Sequence, residues 1–304
     1  MKRIFIITVL VSLCHVVVGQ DYQTKFAKYS QEKDTLAQRK LLVEWEIASP
    51  FNAELYTCYF NYYFSKSKES FITLNSGADD SAGYQIYDST NKVMGSIGEK
   101  TYFDSTTLQK AFDKIGDGIG RHPNRLDMRF GKIYAHGDVK DWESFTSEII
   151  RTVDFSIVIN NKWTWTNDEP VNDPKEFFLS SVQKYAFQLY NAQDDSLLKN
   201  MRQISNRVLK YYPNHVESLT NVAVTYIILG EYDKGIPSLL KAEKIHPEDA
   251  IVLGNIARVY KLKKDTETAV KYYEKAILYG DSRTKKYAQQ QIDIIKKEAE
   301  STGE

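Results

Sequence analysis

Residues 219–242 read LTNVAVTYIILGEYDKGIPSLLKA, and residues 253–276 read LGNIARVYKLKKDTETAVKYYEKA. The two stretches repeat each other at an offset of 34 residues, and Pro213 recurs in the same way as Pro247. Small residues let two antiparallel helices approach closely, aromatic residues fill the space between successive helix pairs, and Pro ends a helix. The period therefore predicts an all-α solenoid built from helix–turn–helix repeats.

The positions that recur also carry a resemblance to a known family. They are Leu219, Ala223, Tyr226, Gly235, Leu239 and Ala242, which recur as Leu253, Ala257, Tyr260, Ala269, Tyr273 and Ala276. By these residues the chain resembles the tetratricopeptide repeat family. The resemblance implies a protein that binds a protein or peptide partner in the concave groove of a superhelix, without enzymatic activity and without a cofactor.

The first 19 residues have the pattern of a secretory signal peptide. Two basic residues precede the uncharged run of residues 4–18, and Gly19 places a small residue before Gln20. We expect the mature chain to begin at Gln20, so that this is an exported, bacterial-type protein of the periplasm or the extracellular space. The run is shorter than the about 20 apolar residues that span a bilayer, so we expect no stable membrane insertion. Lipid attachment at Cys14 is the alternative.

The composition excludes some classes of function. Lys plus Arg and Asp plus Glu both number 40, so no global field attracts nucleic acid, and nucleic-acid binding is disfavoured. Cys58 is the one cysteine left after signal cleavage, so no internal disulfide can form. The 21 Tyr and 14 Phe residues suit an exported fold that is stabilised by packing alone.

We predict that residues 20–173 form a degenerate helical region of the same repeat type. Apolar residues at helical spacing predict helices at 33–48 and 53–64, and a third helix that closes at Pro123. Residues 65–104 interrupt this pattern. They contain two short alternating runs, 83–87 and 92–97, joined by the turn-forming residues 88–91, which predicts a β-hairpin inserted into a split repeat.

A further helix pair begins at Phe130–Tyr134 and is expected to turn at His136–Asp138, before a long loop at Asp154–Asp173. The C-terminal region, residues 174–304, continues with helix pairs, for a total of about five to six. Its last helix, residues 284–297, has a polar outer face and is predicted to cap the solenoid.

The predicted long loop supports an alternative function. Trp163 and Trp165 would point the same way from an extended segment and could stack on a sugar ring, although they could also anchor the loop. Carboxylates that could serve hydrolysis lie in the loops, at Asp79, Asp80, Asp168 and Glu169. A carbohydrate-binding or hydrolytic protein that uses the hairpin insertion and this loop is therefore the second hypothesis.

Other apparent sites favour structural interpretations. The glycines of residues 116–120 lack the preceding strand that a phosphate-binding loop needs, and they are expected to lie in the C-terminal half of a helix. His122, His215 and His246 lie beside prolines in separate inter-helix turns, so we expect no metal site. Cys58 lies among aromatic residues at helical spacing, which is typical of a buried thiol.

The resemblance also implies where a partner would bind. In peptide-binding members of the family the contact residues lie along the first helix of each pair, which corresponds here to Thr220, Asn221, Val224, Gly254, Asn255 and Arg258. A clamp for a C-terminal carboxylate needs Lys, and Thr220 and Gly254 stand where it would be. A neutral or mixed peptide surface is therefore expected, with Arg258 as the cation placed to pair with an acidic group.

Overall fold

The computed structural model describes residues 21–77 and 83–302 of the chain. Helices joined by short turns make up most of it, together with one small antiparallel sheet. The predicted class, an all-α helical repeat fold with a β insertion, is confirmed. The described residues group into two compact units: the first runs to Lys140 and includes Trp163–Val171, and the second comprises Asp141–Lys162 and the residues from Asn172 onward. The predicted domain boundary at residue 173 stays a prediction, as does the signal segment, which lies outside the described residues.

The first unit contains five helices within the described residues. They are α1 (residues 21–31), α2 (Thr35–Ala48), α3 (Ala53–Ser67), α4 (Ser105–Arg121) and α5 (Leu126–Asp138). The side chain of Asp34 caps α2 by accepting a hydrogen bond from Ala37 N, so this helix begins two residues after the predicted start at Lys33. Asn52 and Asp104 cap α3 and α4 in the same way.

Helix α3 lies at the centre of this unit. Its aromatic residues contribute to one apolar cluster with Leu42 and Trp45 of α2, and to a second with Ala111 and Ile115 of α4. The contact with α4 is close, because a Cβ added at Gly118 would lie 2.7 Å from Tyr56 Cβ. The glycines of residues 116–120 therefore lie within a helix, as predicted, and one of them serves helix packing.

The insertion between α3 and α4 is a three-stranded sheet. Its strands are β1 (Lys68–Ser76), β2 (Tyr84–Tyr87) and β3 (Val93–Phe103), in the antiparallel order β1-β3-β2. The predicted hairpin corresponds to β2 and β3, and Asp88 stabilises its turn by accepting hydrogen bonds from Thr90 and Lys92. Strand β1 was not predicted, because its alternation of apolar and polar residues extends only over Ile72–Asn75 and nearly all of the strand is exposed.

Two predicted loop positions are wrong by a few residues. The segment His136–Asp138 is the last turn of α5, and the chain reverses at residues 139–141, where Lys140 has φ 59°. Asp141 then caps α6, which runs from Trp142 to Val158. The loop predicted to begin at Asp154 therefore begins at Ile159, where α6 ends. Gly137 is tolerated inside α5, so it does not end the helix. The chain turns three residues later, at Lys140, just before Asp141, which caps α6.

The second unit consists of successive helices. After α6 come α7 (Pro174–Asn191), α8 (Leu198–Tyr211), α9 (Val216–Ile228), α10 (Tyr232–Ile245), α11 (Ala250–Leu262), α12 (Thr266–Tyr279) and α13 (Ser282–Thr302). Ala257 and Ala276 are fully buried in the cluster that joins α11, α12 and α13, as their repeat positions predict. Among the described residues, no helix combines the length and the apolarity needed to cross a bilayer.

Candidate functional site

The first helices of successive pairs, α7, α9 and α11, lie next to one another in the second unit. Gln183 on α7 and Asn221 on α9 exchange two amide hydrogen bonds: Asn221 Nδ2 donates to Gln183 Oε1 at 2.6 Å, and Gln183 Nε2 donates to Asn221 Oδ1 at 3.2 Å. Asn221 is only 6% exposed. Of the residues predicted to contact a partner, Asn221 is therefore engaged in holding two helices together.

The other predicted contact residues are at least partly accessible. Thr220 and Val224 on α9 are half-buried, and so are Gly254, Asn255 and Arg258 on α11. Across the described chain, the side chains of Asn255 and Arg258 make no hydrogen bond or ion pair. Polar side chains that make no bond within the protein can exchange their bonds to water for bonds to a ligand without breaking any contact of the fold.

Helix α7 adds an aromatic pair that sequence reasoning missed. Phe187 and Tyr190 follow Gln183 by four and seven residues, so they lie on the helix face that meets α9. Their rings stack with centroids 5.8 Å apart, and they are 53% and 38% exposed. The aromatic spacing on α7 was visible in the sequence, but this helix lacks the repeat motif that would fix its register. We call the surface formed by Phe187, Tyr190, Thr220, Val224, Asn255 and Arg258 the groove face.

The first unit holds a buried group of charges. Arg125 is 1% exposed, and its Nη1 lies 2.7 Å from Glu54 Oε1, while its Nη2 lies 2.7 Å from Asp127 Oδ2. Asp168, in the loop after α6, lies 3.5 Å from the same Nη1. Burial opposes the charged form of Arg125, but the hydrogen bonds to Asp127 and Glu54 outweigh it and raise the guanidinium pKa.

These charges anchor the loop that carries the two tryptophans. Glu54 Oε1 also accepts a hydrogen bond from Asn167 N at 2.8 Å. The backbone of Thr164 is bonded on both sides, since its N donates to Asn124 O and its O accepts from Leu126 N, each at 2.9 Å. The loop is thereby fixed to the start of α5 and to α3.

The alternative site does not come together as an exposed aromatic platform. Trp163 is 2% exposed and lies beside the guanidinium of Arg129, 5.8 Å from its ring centroid. Trp165 is 36% exposed and makes an edge contact with Phe130. A cleft of about 280 Å³ lies beside this loop, lined by His122, Pro123, Asn124, Arg125, Thr164 and Asp168.

Of the four carboxylates of the alternative hypothesis, Asp168 and Glu169 lie among the described residues. Asp168 lies in the ion pair with Arg125, and Asp79 and Asp80 fall outside the described residues. The side chain of Glu169 is exposed, and its backbone carbonyl accepts a hydrogen bond from Trp165 N at 2.7 Å. General acid–base catalysis needs carboxyl groups that converge on a substrate, and of the two described carboxylates Asp168 is engaged by Arg125.

The cysteine and histidine candidates from the sequence lie in positions that serve the fold. Cys58 is buried, and burial raises the pKa of its thiol, which lowers its reactivity. His122 Nε2 lies 2.9 Å from Phe51 O, and His215 Nδ1 accepts from Ser218 N at the start of α9. In residues 21–77 and 83–302, no three His, Cys, Asp or Glu side chains are grouped so that they could hold a metal ion.

The comparison with known families agrees with the helix pairs. Residues 216–249 and 250–279 each match the family model described as tetratricopeptide repeat. These two segments match the tetratricopeptide repeat family. Their first residues, Val216 and Ala250, are also the first residues of α9 and α11, so the repeat register assigned from the sequence is confirmed.

Individual relatives are more distant. One is the probable UDP-N-acetylglucosamine–peptide N-acetylglucosaminyltransferase SEC of Arabidopsis thaliana, 36% identical over 92 residues, which are 30% of this chain and 9% of that protein. The chain thus spans less than a tenth of that relative's length. A crystal structure of MamA is 15% identical, with a TM-score of 0.37, and the match covers 60% of this chain and 99% of that one.

A second structure gives a similar result. MamA from residue 41 to its end, from Desulfovibrio magneticus RS-1, is 12% identical, with a TM-score of 0.37 and coverage of 56% of this chain and 84% of that one. Likenesses at this level carry no argument about binding or activity.

Proposed function

We propose that this protein is a non-enzymatic scaffold of the cell envelope that binds a protein or peptide partner along the groove face. The tetratricopeptide repeats support a role in protein–protein interaction, since such repeats present the first helices of successive pairs to a partner. The observation that carries the proposal is Arg258, a half-buried cation on α11 that makes no ion pair within the part of the chain that the structure describes.

The chemistry of the groove face suggests the kind of segment it takes. Phe187 and Tyr190 offer exposed aromatic rings at one end, Val224 continues the apolar surface, and Asn255 and Arg258 offer donors at the other. A segment with apolar side chains followed by an acidic side chain would satisfy both ends. Aromatic and arginine side chains are the groups that most often dominate binding free energy in interfaces.

Crosslinking in intact cells with this chain as bait, followed by mass spectrometry, identifies the partners. Co-precipitation then compares Arg258→Ala/Asn255→Ala with wild type. Because truncating a desolvated charged contact costs about 2–5 kcal/mol, we expect capture to fall by at least about tenfold. Lys271→Ala on α12 is the control, since Lys271 is an exposed cation on the second helix of the same repeat. Capture of the same partners at wild-type yield by the double variant would refute the groove face as the binding site.

The envelope location rests on the basic residues, the apolar run and Gly19 at the start of the sequence. Under this proposal the exported chain begins at Gln20, with no lipid on Cys14. Mass analysis of the N-terminus of the protein from cells tests this. A chain that begins at Met1, or one with a diacylated Cys14, would contradict the proposed cleavage.

A further inference from the structure

The two edges of the three-stranded sheet differ. Strand β2 has four residues, and its pairing with β3 shifts register between Ile86 and Tyr87. Strand β1 has nine residues in regular pairing with β3, from Lys68 opposite Phe103 to Ser76 opposite Gly95. Proteins protect sheet edges with short strands, bulges and charges. The β2 edge has the first two protections, whereas β1 carries no charge between Phe71 and Ser76.

The hydrogen bonds that flank β1 define which of its backbone groups face outward. Asp104 N donates to Ser67 O at 2.8 Å, and Gly77 N donates to Met94 O at 3.1 Å. Hydrogen-bonded positions alternate along an antiparallel pair, so the odd-numbered residues between these bonds turn their peptide groups toward β3. The even-numbered residues Ser70, Ile72, Leu74 and Ser76 therefore turn theirs toward the open edge.

The side chains of these residues share one face of the sheet. Ile72 and Leu74 are 77% and 75% exposed. Leu74 and Tyr84 both lie opposite Ile97 of the central strand, so an apolar stripe crosses all three strands on this face. The base of the sheet is fixed to the helices, where Phe103 stacks on Phe64, which leaves the stripe in solvent.

We propose that β1 pairs in antiparallel fashion with β1 of a second copy of this chain, with Ile72 opposite the Ile72 of the copy. A two-fold axis perpendicular to the sheet then places Ser70 opposite Leu74 and Lys68 opposite Ser76. The outward peptide groups of each copy meet those of the other, and the apolar stripe stays on one side of the joined sheet.

Charge favours a second copy in this register. Lys68 and Glu69 are the charged residues of β1, and they lie at its base. Pairing about Ile72 places them opposite Ser76 and Asn75, so no like charges face each other. The register also brings together the outward-facing positions Ser70, Ile72 and Leu74 of the two copies, whereas Lys68 N is already bonded to Ser65 O.

The first test measures the molar mass of the full purified chain across concentrations by sedimentation equilibrium. We expect a monomer–dimer equilibrium, and we expect Ile72→Lys to raise the dissociation constant at least about tenfold, because it places two lysines opposite each other on the paired edges. Within one copy the new lysine lies opposite Glu99, so the fold tolerates it. Tyr84→Lys is the matched control: it is 74% exposed on the same face but on the other edge, and it leaves the dimer intact.

Either of two results overturns the proposal: a wild-type chain that stays monomeric at every concentration, or an Ile72→Lys chain that dimerises like wild type. Circular dichroism of each variant establishes that it is folded.

The second test is specific for the register. Opposed hydrogen-bonded residues have Cα atoms about 5.5 Å apart, which lies within the range that a disulfide bridges. Ile72→Cys should therefore give a covalent dimer under mild oxidation, and Tyr84→Cys should not. Both variants keep the same native cysteines. Equal crosslinking of the two variants would overturn the proposed pairing.

Discussion

Replacing Arg125 by methionine should destabilise the first unit by about 3–5 kcal/mol, the cost of removing one partner from a buried ion pair. Arg125 is 1% exposed, and the side chains of Glu54 and Asp127 that face it are 7% and 11% exposed. Methionine fills much of the same volume but leaves two carboxylates without a cation. The loss is therefore electrostatic rather than a cavity effect.

The assay is urea unfolding followed by tryptophan fluorescence, because Trp163 and Trp165 lie in the loop that this network anchors. Arg207→Met is the control. Arg207 Nη1 contacts both carboxylate oxygens of Asp154 at 2.9 Å, but the two side chains are 35% and 39% exposed, so its loss should cost about 0–1 kcal/mol. Equal losses in the two variants would refute the argument that burial makes the Arg125 network costly to break.

Three further outcomes follow from local geometry. Gly118→Ala should destabilise by about 1–3 kcal/mol because its Cβ meets Tyr56, whereas Gly116→Ala, with open space around it, should stabilise by about 0.5–1 kcal/mol; denaturant titrations that give both the same sign would contradict this packing. Ala257→Leu should overpack a fully buried site and cost about 1–3 kcal/mol, so an unchanged melting midpoint would count against the register. Burial holds the pKa of His215 below its ordinary 6.5, so stability should fall as pH drops below about 6.5, and His215→Asn, which keeps a capping oxygen, should flatten that slope in urea titrations at several pH values.

The helix pairs could be predicted from the sequence because period and packing express the same constraint. Ala257 and Ala276 recur at small-residue positions and are buried where helices touch. The errors fall where local chemistry and periodicity disagree. Gly137 suggested a turn but lies in the last turn of α5, and the capping residue Asp141 marks the true start of the next helix. Strand β1 left only a short alternating pattern, because neither of its faces is consistently buried.

The sites show the same division. The predicted contact positions on α9 and α11 could be placed on their helices because the motif fixes their register. Phe187 and Tyr190 could not be placed in this way, since α7 lacks the motif. The Arg125 network was beyond sequence reasoning for a different reason. Its members come from α3, α5 and the loop after α6, and 43 residues separate Arg125 from Asp168, so only the folded chain brings them together.

The two faces of the repeat unit differ in how far their polar groups are already satisfied. On the second helices, Glu243 of α10 pairs with Lys275 of α12 at 2.9 Å and accepts a hydrogen bond from Tyr272 at 3.0 Å; burial, reinforced by that bond, raises the pKa of Tyr272 to about 12. A ligand on that side would have to break existing pairs before forming its own. On the groove face, Asn255 and Arg258 make no such pairs within the described residues, so a ligand there would replace bonds to water and would break no bond within the protein. Because binding free energy depends on the bonds that each side gives up as well as on those it gains, this difference agrees with the proposed groove face as the binding surface.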